Sequence, residues 1–162
     1  MKRFFFALSI IVLSLTTACM NGSTQQGSYT SAQYKGTLTS TNIEDNTSFE
    51  IKSFDIEVII PNSLVEKLDL VFANLKFVDG GGAITPIFQD IAFKRTISED
   101  QTSINYIFSA EEVIPVINGE KNTENTIKNL TGCISKSEVL IEFTMANKPY
   151  KVKFLAKDRF AL

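Results

Sequence analysis

Histidine and tryptophan are both absent from the 162 residues, and cysteine occurs only twice. Without histidine the chain has no side chain whose ordinary pKa lies near neutrality, no Ser-His or Cys-His dyad and no histidine-ligated zinc. Most familiar hydrolase mechanisms are excluded with it. An excess of positive charge is also missing. The 16 basic and 18 acidic residues give a formal charge of -2, so the phosphate contacts that nucleic acid demands are not supplied. The length suits one domain with little left over.

What is present begins with an address. Lys2 and Arg3 precede an apolar run, Phe4 to Leu15, broken only by Ser9 and Ser14, and small residues follow at Thr16, Thr17 and Ala18. The run is about twelve residues against the roughly twenty of a membrane-spanning helix, so residues 1–18 read as an export signal peptide. The sequence Leu15-Thr16-Thr17-Ala18-Cys19 resembles a bacterial lipobox, with Thr16 where that motif usually has leucine. The resemblance implies that Cys19 becomes the mature N-terminus and carries a thioether-linked diacylglycerol. Each buried methylene contributes about 0.8 kcal/mol, so two or three acyl chains anchor a protein stably where one does so only marginally. Residues 19–33 are then the lipidated cysteine and a tether of Ser, Thr, Gln, Gly and Asn, with a mean reach of about 20 Å. The expected address is the bacterial cell envelope, at the outer membrane, and removal of Lys2 and Arg3 leaves a mildly acidic mature chain.

From Tyr34 to Leu162 the hydrophobic period is two. Phe54, Ile56, Val58 and Ile60 alternate with polar residues, and Phe49 and Ile51 stand in the opposite phase. A bulge near Lys52 and Ser53 reconciles the two. Leu68, Leu70 and Phe72 followed by Leu75 and Phe77 suggest a second slip near Asn74. Asp79-Gly80-Gly81-Gly82 predicts a tight reversal, and Ile84 to Phe93 a further strand with an irregularity at Pro86. Ile104, Tyr106 and Phe108 alternate, Val113 to Ile117 is a short apolar run, and Asn118 to Asn125 is a polar loop. Ile127–Ile134, Val139–Met145 and Tyr150–Ala156 form a closing meander. Eight or nine strands without a helix fit an up-and-down barrel or a sandwich.

Tyr34-Lys35-Gly36-Thr37-Leu38-Thr39, the Leu68-to-Phe77 strand, Ile84-Thr85-Pro86 and Ile127-Lys128-Asn129-Leu130-Thr131-Gly132, with two closing strands after them, resemble the calycin-like β-barrel domains of Bacteroidetes lipoproteins. The likeness covers roughly Tyr34 to Asp158. It implies a lipocalin-like barrel of about eight antiparallel strands and no settled activity. Leu38 stands where the wider lipocalin Gly-x-Trp motif has tryptophan, so a lipocalin ligand does not carry over.

The chemical constellations are sparse. With Cys19 acylated, Cys133 has no partner for an internal disulfide, and between Gly132 and Ile134 on a strand it reads as a buried inert thiol. Glu111-Glu112 and Glu44-Asp45 are carboxylate pairs, yet strand neighbours face opposite ways and turn residues face water. Asn42, Glu44, Asp45 and Asn46 lack the glycine and distal glutamate of an EF-hand loop. The triple glycine lacks the Lys-Ser/Thr of a phosphate loop. Lys148, Lys151, Lys153, Lys157 and Arg159 crowd the last fifteen residues and suit either contact with anionic headgroups or glycans, or a solvated strand face that discourages edge pairing. No catalytic set, metal site or cofactor is expected. Two readings follow. In the first, the barrel binds a small apolar ligand without catalysis, and its interior is formed by Phe72, Phe77, Phe93, Tyr106, Phe108, Phe143 and Phe154. In the alternative the same residues fill the core, and the domain is an interaction module shown to a protein or glycan partner.

Overall fold

A computed structural model describes residues 30–60, 66–97, 103–136 and 138–157. The expected signal peptide, Cys19 and most of the expected tether lie outside them. The last part of that tether, Thr30–Gln33, is strand: β1 (Thr30–Asn42) pairs with β2 (Ser48–Ile60) from its first residue, Thr30 opposite Ile60. Local composition is overridden here because the backbone groups of Glu57–Ile60 need partners, and the preceding chain supplies them.

Six more long strands follow: β3 (Lys67–Phe72), β4 (Ile87–Ile97), β5 (Ile104–Val113), β8 (Ile127–Ile134), β9 (Val139–Met145) and β10 (Tyr150–Ala156). Two-residue strands β6 (Val116–Ile117) and β7 (Glu120–Lys121) and a 3-10 turn at Thr123–Asn125 separate β5 from β8. Each long strand pairs antiparallel with the next, β3–β4 included, and β10 returns to β1. The result is a closed up-and-down barrel of eight antiparallel strands, lipocalin-like in architecture. Closure removes the free edges of an open sheet. The β6–β7 hairpin attaches outside the cycle through Val116 opposite Ile87.

Three bulges bend the wall. Opposite β1, the pairs Gly36–Phe54 and Leu38–Ile51 leave Lys52 and Ser53 facing the single residue Thr37, where the phase change in the sequence places it. A second lies at Gln89–Asp90 of β4, opposite Asp69, with Asp90 at φ 58° and its N–H donating to Asp69 Oδ1 at 2.8 Å. The third sits at Asn129–Leu130 of β8, opposite Phe143, with Asn129 at φ 54°. Positive φ is tolerated by Asp and Asn far better than by branched residues. The slip near Asn74 is a strand end rather than a bulge. β3 stops at Phe72, Asn74 turns at φ 58°, and Leu75 then makes an isolated bridge with Ile84 around the Gly80 reversal.

Inward positions are apolar and outward ones mainly Lys, Glu, Asp, Ser and Thr, the reverse of a membrane-spanning barrel with its apolar band outside. At mid-height Phe54, Phe72, Phe88, Phe143 and Phe154 are all at most 3% exposed. Phe72 meets Phe88 at 5.0 Å and Phe143 at 5.6 Å between centroids. Nearer one end Ser40, 1% exposed, points inward between strands, and its Oγ has no hydrogen-bond partner among the described residues. An unpaired buried hydroxyl carries a desolvation cost of about 1–3 kcal/mol. Ser40→Ala is therefore expected to raise stability by about 1 kcal/mol, read as a later denaturant midpoint at unchanged slope. A loss of stability would reveal a partner for the hydroxyl.

That end is capped. The connection from β3 to β4 carries Phe77 across to Tyr150 of β10, three strands away round the barrel, where the rings stack at 5.7 Å and 15°. The Lys148 ammonium lies 5.4 Å from the Phe77 centroid, and Leu75 is buried beneath. The other end has no equivalent cap among the described residues.

Candidate functional site

The uncapped end is where β1 and β5 begin and β2, β4, β8 and β10 finish. Tyr34, Val58 and Ile134 form a buried floor there, above the phenylalanine layer. Ala32, Ile60 and Tyr106 form walls, and Ile97 and Ile104, directly opposed across β4 and β5, form one side of the rim. They enclose a mouth cavity of about 540 Å³. Its size falls within the range of small-molecule sites, about 300–1,000 Å³.

Among the described residues the polar groups of the mouth are Thr30, Ser103 and Ser135 on the rim, the Tyr34 and Tyr106 phenols and the Lys136 ammonium. Tyr106 is held by an edge-to-face contact with Phe93 at 5.3 Å and 79°, and the Arg95 guanidinium lies 5.6 Å from the Phe93 centroid. This is an apolar cup with hydroxyls and positive charge at its lip. It offers shape to an apolar body and hydrogen bonds to a polar or anionic head, but no acid–base pair aimed at a common point. Among the described residues no three Cys, Asp or Glu gather in a way that could hold a metal ion.

The seven aromatic residues singled out in the sequence lie in four different places. Phe72, Phe143 and Phe154, at 0–1% exposure, belong to the packed mid-layer. Phe93 and Phe108 are buried nearer the mouth, and the ring of Phe108 lies against Gly132, its directly paired neighbour. Tyr106 alone lines the mouth cavity, while Phe77 belongs to the cap at the opposite end. The mouth residues that sequence reasoning missed are Tyr34, Val58, Ile60, Ile97, Ile104 and Ile134. Their signal was available: Ile97 and Ile104 are bulky apolar residues bracketing a polar hairpin tip.

A second depression, about 950 Å³, crosses the outer face of β4, β5, β8 and β9 and includes Ala92, Lys94, Ile107, Cys133, Leu140 and Glu142. Burial, and then the negative charge of Glu138, push the Cys133 thiol above its ordinary pKa, so it is held protonated and weakly nucleophilic. Burial would raise the Glu142 carboxyl, but the hydrogen bond and charge of Lys153 and those of Lys151 outweigh it and lower the pKa. Their ammonium groups stand 3.2 and 3.4 Å from its oxygens. Glu111 and Glu112 are both exposed on β5. Asp45 is lowered by hydrogen bonds from the Thr47 hydroxyl and backbone in an exposed turn. Glu142 is paired with two lysines and Asp45 with Thr47, and among the described residues these groups converge on no common target. Comparison with family models, with curated proteins and with solved structures returned no match for this chain.

Proposed function

We propose that this protein is a non-catalytic binding protein of the bacterial envelope, held by lipid on Cys19, that receives one small apolar or amphiphilic molecule in the mouth of its barrel. The observation that carries this reading is the apolar mouth cavity above a filled mid-layer. The ligand sits at the lip and does not thread the barrel axis, because the phenylalanine layer occupies that path. Lys136 and the rim hydroxyls suit a polar or anionic head. The calycin-like lipoprotein resemblance, the export signal and the lipobox-like Cys19 support the address.

The test uses the full chain extracted from its own membranes in mild detergent, with bound molecules identified by mass spectrometry. One apolar molecule per chain is expected, and Ala32→Phe, which fills the mouth without removing a core side chain, is expected to weaken binding by roughly tenfold or more. The chain has no tryptophan and only four tyrosines, of which Tyr34 and Tyr106 line the mouth, so tyrosine emission reports occupancy directly. A bare mass together with emission indifferent to added amphiphiles would favour the second reading, an interaction module with a solid core. The filled mid-layer is the observation on its side.

A further inference from the structure

We infer that the mouth rim is a docking surface for a lipid bilayer, so that the cavity opens onto the membrane instead of onto water. This rests on the reading of the mouth as the ligand site and of Cys19 as the anchor. The first observation is exposed apolar surface. Ile97 and Ile104 are 71% and 52% exposed and directly paired. The pair stands at the rim just behind a polar connection, and grouped exposed apolar residues mark an interaction surface where single ones do not.

The second observation is where the chain enters the barrel. β1 begins at Thr30 on this same rim, and only ten residues, Met20 to Tyr29, separate Cys19 from it. Fully extended they span at most about 40 Å. An anchor on Cys19 therefore keeps the mouth end close to the bilayer, and the local concentration produced by so short a link turns a weak contact into a persistent one.

The balance of charge differs modestly between the two ends. Lys94, Arg95, Lys136 and Lys157 stand at or beside the mouth, with Glu57, Glu66 and Glu138 among them. Glu99 and Asp100 fall in the connection between Ile97 and Ile104, outside the described residues. At the capped end each exposed apolar residue has acidic neighbours in the chain: Ile43 precedes Glu44 and Asp45, Val78 precedes Asp79, and Ile114 follows closely on Glu111 and Glu112. Lys76, Lys121, Lys128, Lys148 and Lys151 lie toward that end as well, so the acidic residues beside its apolar ones leave it the less favourable of the two for anionic headgroups without making it strongly repelled. An apolar ligand then passes between bilayer and cavity without crossing water.

Because the native chain has no tryptophan, a single introduced one is a clean depth gauge. Ile97→Trp and, as the control at the capped end, Ile43→Trp would be made in the full lipidated chain and reconstituted in phosphatidylcholine–phosphatidylglycerol vesicles with brominated acyl chains. Roughly twofold or greater quenching and a blue shift are expected for Ile97→Trp, with Ile43→Trp left at its value in water. Ile97→Ser/Ile104→Ser, with Trp placed at neither site, removes part of the cavity rim as well as the exposed pair, and is expected to slow ligand transfer from vesicles by a larger factor than it weakens binding in detergent. Equal quenching at both ends, stronger quenching at Ile43→Trp, or a chain that fails to sediment with the vesicles would overturn the docking. The ligand measurement is made in detergent, without a bilayer, so failure of the binding reading is seen separately.

Discussion

Replacing Phe72 by alanine is expected to cost about 3–5 kcal/mol, near the upper limit for a single core truncation. The side chain is fully buried and its ring touches those of Phe54, Phe88 and Phe143 at 6.2, 5.0 and 5.6 Å. Its loss removes the transfer energy of the ring, the edge-to-face contact with Phe143 at 84°, and the filling of a space that hydrogen-bonded strands cannot close over. The melting temperature should fall by roughly 10–25 °C. The void should be apolar and dry, so xenon or benzene should restore part of the loss. A cost below about 1 kcal/mol would mean that the mid-layer is loose, and the barrel would then be a candidate for threading a ligand after all.

Gly132→Ala is the second large effect. A methyl group at Gly132 would lie 2.1 Å from Cζ of Phe108 and 2.4 Å from Cε2, and Phe108 is itself 3% exposed, so its ring has little room to retreat. Overpacking of this kind costs about 1–3 kcal/mol, and more where nothing can yield. Here glycine is required for the space above its Cα, which a cross-strand aromatic occupies, and not for its backbone freedom. Gly132→Ala and Phe108→Leu should accordingly be strongly non-additive: each alone destabilises, while the double variant recovers by roughly 1 kcal/mol or more relative to their sum. Additive losses in a double-mutant cycle would show that the ring does not rest on the glycine.

Much of the wall was legible because a period of two is a direct imprint of a half-buried strand. The bulge at Lys52–Ser53 is visible as a change of phase between Ile51 and Phe54 and is found there. The bulges at Gln89–Asp90 and Asn129–Leu130 left the same trace, in the three-residue spacings Phe88 to Ile91 and Ile127 to Leu130. Three residues also separate Phe72 from Leu75, yet there the cause is a strand end, and spacing alone does not distinguish the two. Thr30–Gln33 became strand through pairing with β2, a tertiary demand that polar composition conceals. The mouth was the least legible part. Inward phase says that Phe143 and Tyr106 both face the interior, but whether a ring meets another ring or open space depends on height along the axis, which is set by strand stagger and rotamers.

One pairing in the barrel differs from the others in its reach along the chain. Seven of the eight seams join strands that follow one another or are separated only by the small β6–β7 excursion, and the eighth joins β1 to β10, Leu38 opposite Phe154. Local hairpins form in microseconds, whereas a contact between the two ends of a domain waits for everything between them. A chain threaded across a membrane from its N-terminus delivers β1 first and β10 last. Throughout that passage β1 has one satisfied edge, toward β2, and one bare edge. Under the export proposed above, closure is a terminal event timed by transport, and until it occurs the exposed edge of β1 is the site at which a chaperone, or another nascent copy, would take hold.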